Sequence, residues 1–241
     1  MNVAHGLSKH GSLVRIRDLG LSPRTIFDVG VATGTNGLYD VFPDARYVLI
    51  EPLEESLPFM QALVAQHPGS ILVNAAAGRE AGTADLVVNA GLSGSSFMLN
   101  PAAGEVRSVP VVTIDGVIEA YGLEPPFLIK LDVQGFELEV LAGAERALRD
   151  TIALIAETSL WADRKGKGMP TTLQLMTWLQ KQGFVLYDIA QVVRRKLDEA
   201  ITEMDLVFCP AKSPLRAIKT YKTPEQQAQV TEKRRRDFGL S

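Results

Sequence analysis

Cysteine is almost missing from this sequence: Cys209 stands alone among 241 residues. An intrachain disulfide is therefore excluded, and so are zinc sites of the four-cysteine or cysteine–histidine kind. A single thiol fits a reducing compartment. Histidine is nearly as scarce. The three present, His5, His10 and His67, are scattered, and no Asp, Glu and His fall together as a triplet. They read as surface residues, and no metal site is expected. No run approaches the roughly 18 apolar residues of a membrane span. Met1 to Gly11 carries His, Lys and Gly but no apolar stretch, so no signal peptide is expected and the protein is read as cytoplasmic. Basic charge is not in excess either: 25 Lys and Arg face 28 Asp and Glu, a formal net charge of −3. Duplex nucleic acid demands clustered cations, so it is not an expected partner.

What is present is ordinary globular material. Hydrophobic residues make up 46% and charged residues 22%, and the length suits one sizeable domain with a full core. Short apolar runs alternate with segments of helical period. Strands are expected at 25–30, 46–51, 70–74, 127–132, 152–157, 184–188 and 205–209. Near-continuous apolar strands separated by helices predict a parallel sheet covered on both faces. Helices are expected at 54–67, at 136–150 and at 171–182, the last with Gly183 as its C-terminal cap. The stretch 75–122 is longer than a connection needs, with strands conceivable at 84–88 and 106–112; loops of that length often carry function.

Two strand ends hold the residues that point to chemistry. The first strand runs into Asp28-Val29-Gly30-Val31-Ala32-Thr33-Gly34. Glycine lets backbone approach a ligand, and amides at a helix start favour a carboxylate. Glu51 ends the second strand, where an acidic residue can bond both hydroxyls of a ribose. The dinucleotide pattern G-x-G-x-x-G fails at Ala32 and Thr35, and no phosphate-cradling G-x-x-x-x-G-K-[ST] loop exists. D-x-G-x-x-x-G with a distal Glu fits S-adenosylmethionine better. The second strand end is Lys130-Leu131-Asp132-Val133-Gln134-Gly135-Phe136-Glu137. Asp132 stands at the carboxyl end of its strand, where ligands bind in such sheets. Glu137 falls in a first helical turn, which the helix dipole favours.

Taken in order, the first strand with its D-V-G-x-x-x-G loop, Ile50-Glu51-Pro52, K-L-D-V-Q-G-F-E and Val140-Leu141-Ala142-Gly143-Ala144 resemble the FkbM family of methyltransferases. Asn74-Ala75-Ala76 and Val111-Val112-Thr113-Ile114-Asp115 are similar to that family's pattern too. Members commonly have Gly-Ala-Asn where this chain has Gly30-Val31-Ala32, and often Glu where it has Gln134. The resemblance implies an α/β class I methyltransferase (Rossmann-like) fold: seven strands, mostly parallel, an antiparallel last strand, and helices on both faces. It also implies methyl transfer from S-adenosylmethionine to an oxygen, on a small-molecule acceptor such as a sugar or natural-product hydroxyl.

On that basis Gly30 and Gly34 are expected to frame the methionyl end of the cofactor and Glu51 to hold its ribose. Asp28 orders the loop or binds the amino group, and Asn74 and Ala75 line the adenine pocket. Asp132 and Glu157 are the candidate catalytic residues, as general base or as binders of substrate hydroxyls. The loop 93–96 either closes over the site or is an ordinary polar loop. Trp161 with its successors 162–164 shapes the acceptor pocket or is core. The chain divides into a helical lead-in (1–24), the methyltransferase domain (25–212) and a charged tail or helix (213–241). The basic run 233–236 reads as a solvated helix, with pairing of chains as the other use of that segment. Two further readings stay open: a cofactor-binding regulator of the same fold without turnover, and a nicotinamide-dependent dehydrogenase, which the broken fingerprint disfavours.

Overall fold

The computed structural model describes residues 7–92, 94–97, 101–161 and 169–239. It divides into two compact units, Met1–Ala211 and Lys212–Ser241.

The first unit is built on seven strands: β1 (Thr25–Val29), β2 (Arg46–Ile50), β3 (Ile71–Val73), β7 (Phe127–Leu131), β8 (Thr151–Ser159), β9 (Phe184–Arg194) and β10 (Ile201–Pro210). Their spatial order is β3-β2-β1-β7-β8-β10-β9. The β3-to-β8 stretch is parallel, and β10 runs antiparallel to both β8 and β9. Chain direction along the order reverses between β1 and β7, which places a crevice at the carboxyl ends of the two strands. Every residue of β1 and of β7 is buried, which is why TIFDV and FLIKL read as unbroken apolar runs rather than alternating ones. Around them Phe27, Ile129, Leu154 and Phe208 join one core cluster. Each such side chain contributes roughly 1.5–3 kcal/mol by leaving water.

The helices cover this sheet. They are α1 (Lys9–Asp18), α2 (Asn36–Val41), α3 (Leu57–Gln66), α4 (Ile114–Tyr121), α5 (Glu137–Ala142) and α6 (Thr172–Lys181). The start of α6 is fixed by a capping box between Thr171 and Gln174. The helix expected over 136–150 is instead broken after Ala142. The residue that follows must be glycine: a Cβ on Gly143 would lie 2.1 Å from the carbonyl oxygen of Gly78. The chain turns there and resumes as a short 3-10 helix at Ala147–Asp150. Asp115 caps that resumption by accepting from the amides of Arg146 and Ala147, both at 2.9 Å. The V-V-T-I-D segment is thus a packing device: Thr113 caps α4, and Asp115 caps the element opposite.

The long stretch after β3 carries a second sheet, with strands where 84–88 and 106–112 were expected, joined by a third. Its strands are β4 (Ala76–Ala77), β5 (Gly82–Val88) and β6 (Glu105–Val112), ordered β4-β6-β5. β9 and β10 also extend beyond the apolar runs that announced them, through Gln191 to Arg194 on one side and from Ile201 on the other. Their outer halves are partly exposed, so their sequence loses the apolar signature there. Among the described residues, no helix is long and apolar enough to cross a membrane.

The second unit contains a 3-10 turn at Pro214–Arg216 and the helix α7 (Pro224–Asp237), which buries no residue. Thr223 and Gln226 form its capping box, and Arg234, Arg235 and Arg236 occupy its last turn, where the helix dipole favours cations. Lys212 to Ser241 holds eight Lys and Arg against three Asp and Glu.

Candidate active site

The register of the two central strands sets the site. Asp28 of β1 lies level with Lys130 of β7, and Val29 with Leu131. Both chains leave the sheet at the same height, so the first loop and the second loop touch. They touch so closely that a Cβ on Gly30 would fall 1.9 Å from the Asp132 carbonyl oxygen, and Gly30 has φ +77°. Only glycine serves there.

Above these loops opens a cavity of about 610 Å³. Gly30, Ala32, Glu51, Pro52 and Leu53 line one end. The Glu51 carboxylate is buried and accepts from the amides of Ala32 and Leu53, each at 3.1 Å. Burial pushes its pKa up, against the pull of those two amides. Each carboxylate oxygen retains acceptor capacity beyond its one N–H. Asn74 does not line the cavity. Its amide donates to the carbonyls of Glu51 (3.0 Å) and Pro52 (3.2 Å), locking the end of β2. Ala75 is buried beside it, and its successors Ala76 and Ala77 form the apolar wall, with Leu86 and Leu92.

Asp28 is fully buried and does not line the cavity. It is paired with Lys130 at 2.9 Å, accepts from the Tyr39 hydroxyl, and takes a 3.4 Å bond from Thr35 Oγ1. These contacts fit the loop-ordering role expected of Asp28. Gly34 likewise sits behind the cavity, at φ +104° against Leu63 and Tyr39. Three loop amides are satisfied inside the protein: Ala32 on Glu51, Gly34 on the Val31 carbonyl (2.7 Å), and Thr35 on Tyr39 (3.2 Å). The open amides expected at the helix start are therefore not available at those three positions.

Asp132 and Glu157 line the middle of the cavity together, hydrogen-bonded to each other. Gln134 Nε2 donates to Asp132 Oδ1 at 2.9 Å and to Glu157 Oε2 at 3.1 Å. Burial works against Asp132's charge, but Lys130, 3.8 Å away, and the hydrogen bonds overcome it and hold that carboxyl well below the usual range. Burial and the adjoining carboxylate push Glu157 up to about 10. At neutral pH the two carboxyls hold one proton between them, as close carboxyl pairs do. Lys130 is buried, which alone would lower its pKa. Asp28 and Asp132 reverse that and raise it to about 12.

The far end is polar. Gln191 of β9 and Glu203 and Asp205 of β10 line it, together with Lys9 from α1, which pairs with Asp205 at 3.2 Å. The loop residues Gly94, Ser95 and Ser96 form a further wall, so part of the 93–96 segment does face the site; Ser93 lies outside the described residues. Trp161 does neither of the things expected of it. It is 43% exposed, its ring nitrogen donates to the Ile201 carbonyl at 3.0 Å, and the Arg195 guanidinium lies 4.2 Å over its ring. Residues 162–164 lie outside the described residues. Glu137 is buried and accepts from the Gly135 amide at 3.0 Å, with burial raising its pKa to about 7. Among the described residues no group of three His, Cys, Asp or Glu could hold a metal ion.

Lys130 and Gln134 were inside the motif but had no assigned role. A lysine within an otherwise apolar, central strand carries its own signal, because a buried ammonium needs an anion in register. Asp28 supplies it.

The model of the FkbM methyltransferase domain matches residues 28–186. This chain belongs to that family. Glu51 and the Asp132–Glu157 pair lie inside the matched span, whereas Lys9, Gln191, Glu203 and Asp205 lie outside it. The seven mostly parallel strands with an antiparallel last strand are what the family resemblance implied. No curated protein matches the chain. Solved structures similar to it include precorrin-6y C5,15-methyltransferase from Geobacter metallireducens GS-15, with 11% identity, 83% of this chain and 86% of that one covered, and a TM-score of 0.46. Magnesium protoporphyrin IX methyltransferase (ChlM) from Synechocystis PCC 6803 with bound SAM gives 13% identity, 83% and 77% coverage, and 0.44. The N-terminal domain of EvdMO1 with SAH and D-fucose gives 12%, 86% and 84%, and 0.44.

Proposed function

We propose that this FkbM-domain protein transfers a methyl group from S-adenosylmethionine to a hydroxyl of a small sugar-like or natural-product acceptor. The observation that carries this reading is the division of one cavity: a buried carboxylate, Glu51, against an apolar wall at one end, and a carboxyl pair in a polar surround towards the other. The residues fit the cofactor. Glu51 suits a vicinal diol, the alanine and leucine wall suits a flat base, and Gly30 allows backbone to come near. S-adenosylmethionine, when bound, supplies an electrophilic methyl on a sulfonium, so that positioning accounts for most of the acceleration.

The chain's own residues supply the proton chemistry. An acceptor hydroxyl that becomes an ether oxygen must lose its proton. Asp132, kept ionised by Lys130, takes it. Glu157 stays protonated and orients Asp132 through their shared hydrogen bond. The β9–β10 end, with Gln191, Glu203 and Asp205, offers hydrogen-bonding partners to a polyhydroxylated acceptor.

Calorimetric titration with S-adenosylmethionine, beside NAD, tests the reading. Saturable binding of the first alone, weakened at least tenfold in Glu51→Ala, supports it. No binding by a folded wild-type protein would sink it. Near-normal transfer rates in both Asp132→Asn and Glu157→Gln would remove the pair from the mechanism.

A further inference from the structure

We propose that Gln134 is a positioning residue for the transfer: its side chain holds Asp132 and Glu157 as one hydrogen-bonded pair, and its main chain fastens that pair to the loop that walls the cavity. The inference rests on the reading of Asp132 as proton acceptor.

The proton shared by Asp132 and Glu157 joins them, but two carboxyls this close repel as that proton leaves, so a donor that bridges both fixes their geometry. A primary amide does so with two hydrogens on one nitrogen. Gln134 Nε2 places one on each carboxyl, at 2.9 Å and 3.1 Å. This occupies Asp132 Oδ1 and leaves Oδ2 towards Lys130. Glutamate would be isosteric but would supply a third negative charge and no donor. The amide therefore adds one donor to each carboxyl without adding charge.

The backbone shows that this placement is enforced. Gln134 has φ +53° and Gly135 follows at +99°. A left-handed glutamine persists only where its surroundings over-determine it. Here the Ser96 hydroxyl donates to the Gln134 carbonyl at 2.7 Å. On the next residue, a Cβ would lie 2.6 Å from the Met169 methyl carbon. The turn is gripped from the loop on one side and from Met169 on the other. Ser96 is itself paired with β5 through both backbone bonds to Val87. One residue thus connects the loop of the second sheet, the end of β7 and the end of β8.

The test uses the full chain and needs no acceptor. Infrared spectroscopy follows protonated carboxyl groups from pH 8 down to the acid edge of folding, with Glu157→Gln and Asp132→Asn assigning the bands. In Gln134→Leu, which keeps bulk but donates nothing, the pair takes its second proton about one pH unit higher than in wild type, a roughly tenfold change in proton affinity. Gln134→Gly relaxes the left-handed backbone while removing the side chain, and gives the same shift should the leucine variant fold poorly. A wild-type titration in both variants overturns the proposal. Calorimetry with S-adenosylmethionine on the same samples keeps the two readings apart. A shifted titration in a protein that binds no cofactor defeats the proposed function but not the clamp. Normal cofactor binding with an unmoved titration defeats the clamp alone.

Discussion

Replacing Lys130 by methionine provides the sharpest test of how the centre of this protein is held. The ammonium is 3% exposed and its partner carboxylate on Asp28 is not exposed at all. The ion pair lies across the two most buried strands, with the Gly30 carbonyl as a third partner at 2.9 Å. Lys130→Met preserves length and removes the charge, leaving Asp28 with the Tyr39 and Thr35 hydroxyls and no cation. Breaking one side of a buried pair costs about 3–5 kcal/mol, chiefly because the other charge is stranded. That is a large share of the roughly 5–15 kcal/mol that stabilises a typical domain. The companion Asp28→Asn in the methionine background removes the stranded charge while keeping an acceptor for both hydroxyls. The double variant therefore recovers most of the loss. Urea unfolding at pH 7 of the wild type, the two single variants and the double variant closes the cycle. A single-variant loss under about 1 kcal/mol, or a double variant no more stable than Lys130→Met, refutes the argument that this pair is a desolvated, mutually dependent unit.

Two further outcomes follow from the same geometry. Gly30→Ala drives a methyl group into the Asp132 carbonyl and forces a left-handed alanine, so it separates the two loops; expression of a stable protein with unchanged cofactor affinity in calorimetry would contradict the close approach described above. Glu157 has its folded pKa raised to about 10, above the unfolded value near 4.3. The folded state then binds the extra proton throughout that window, and stability falls as pH rises from about 5 towards 10. Glu157→Gln removes this slope, so melting temperature between pH 6 and 9 declines less steeply than in wild type; an equal decline excludes Glu157 as the holder of the shared proton.

The central architecture was legible because the strands that build it are buried on both faces, and burial on both faces writes itself as TIFDV, RYVLI and FLIKL. The strand ends were legible for the complementary reason: acidic residues directly after such runs have few structural uses. Less visible were features that depend on contact between distant segments. A helix of good period ends before Gly143, where the Gly78 backbone passes too close for any side chain, and nothing near Gly143 announces that contact. Asn74 looks like a pocket residue from its place after β3, yet its amide is consumed by two carbonyls of the neighbouring strand end. The outer halves of β9 and β10 were missed because they are half exposed, and alternation there is too weak to read. They bring Gln191 and Glu203 to the cavity, so its polar end is the part that sequence patterning concealed.

The meeting of Gly30 with Asp132 also has a thermodynamic side. The two loops that carry the proposed cofactor residues leave fully buried strands at one height and pack against each other. A molecule held by them is then linked to unfolding of the first unit. A ligand that binds only the folded unit adds about 2.7 kcal/mol of stability when it stands at a hundred times its dissociation constant. Thermal shift in the presence of the cofactor product is accordingly a way to test the proposed hydroxyl acceptors from a library, without any need to detect turnover.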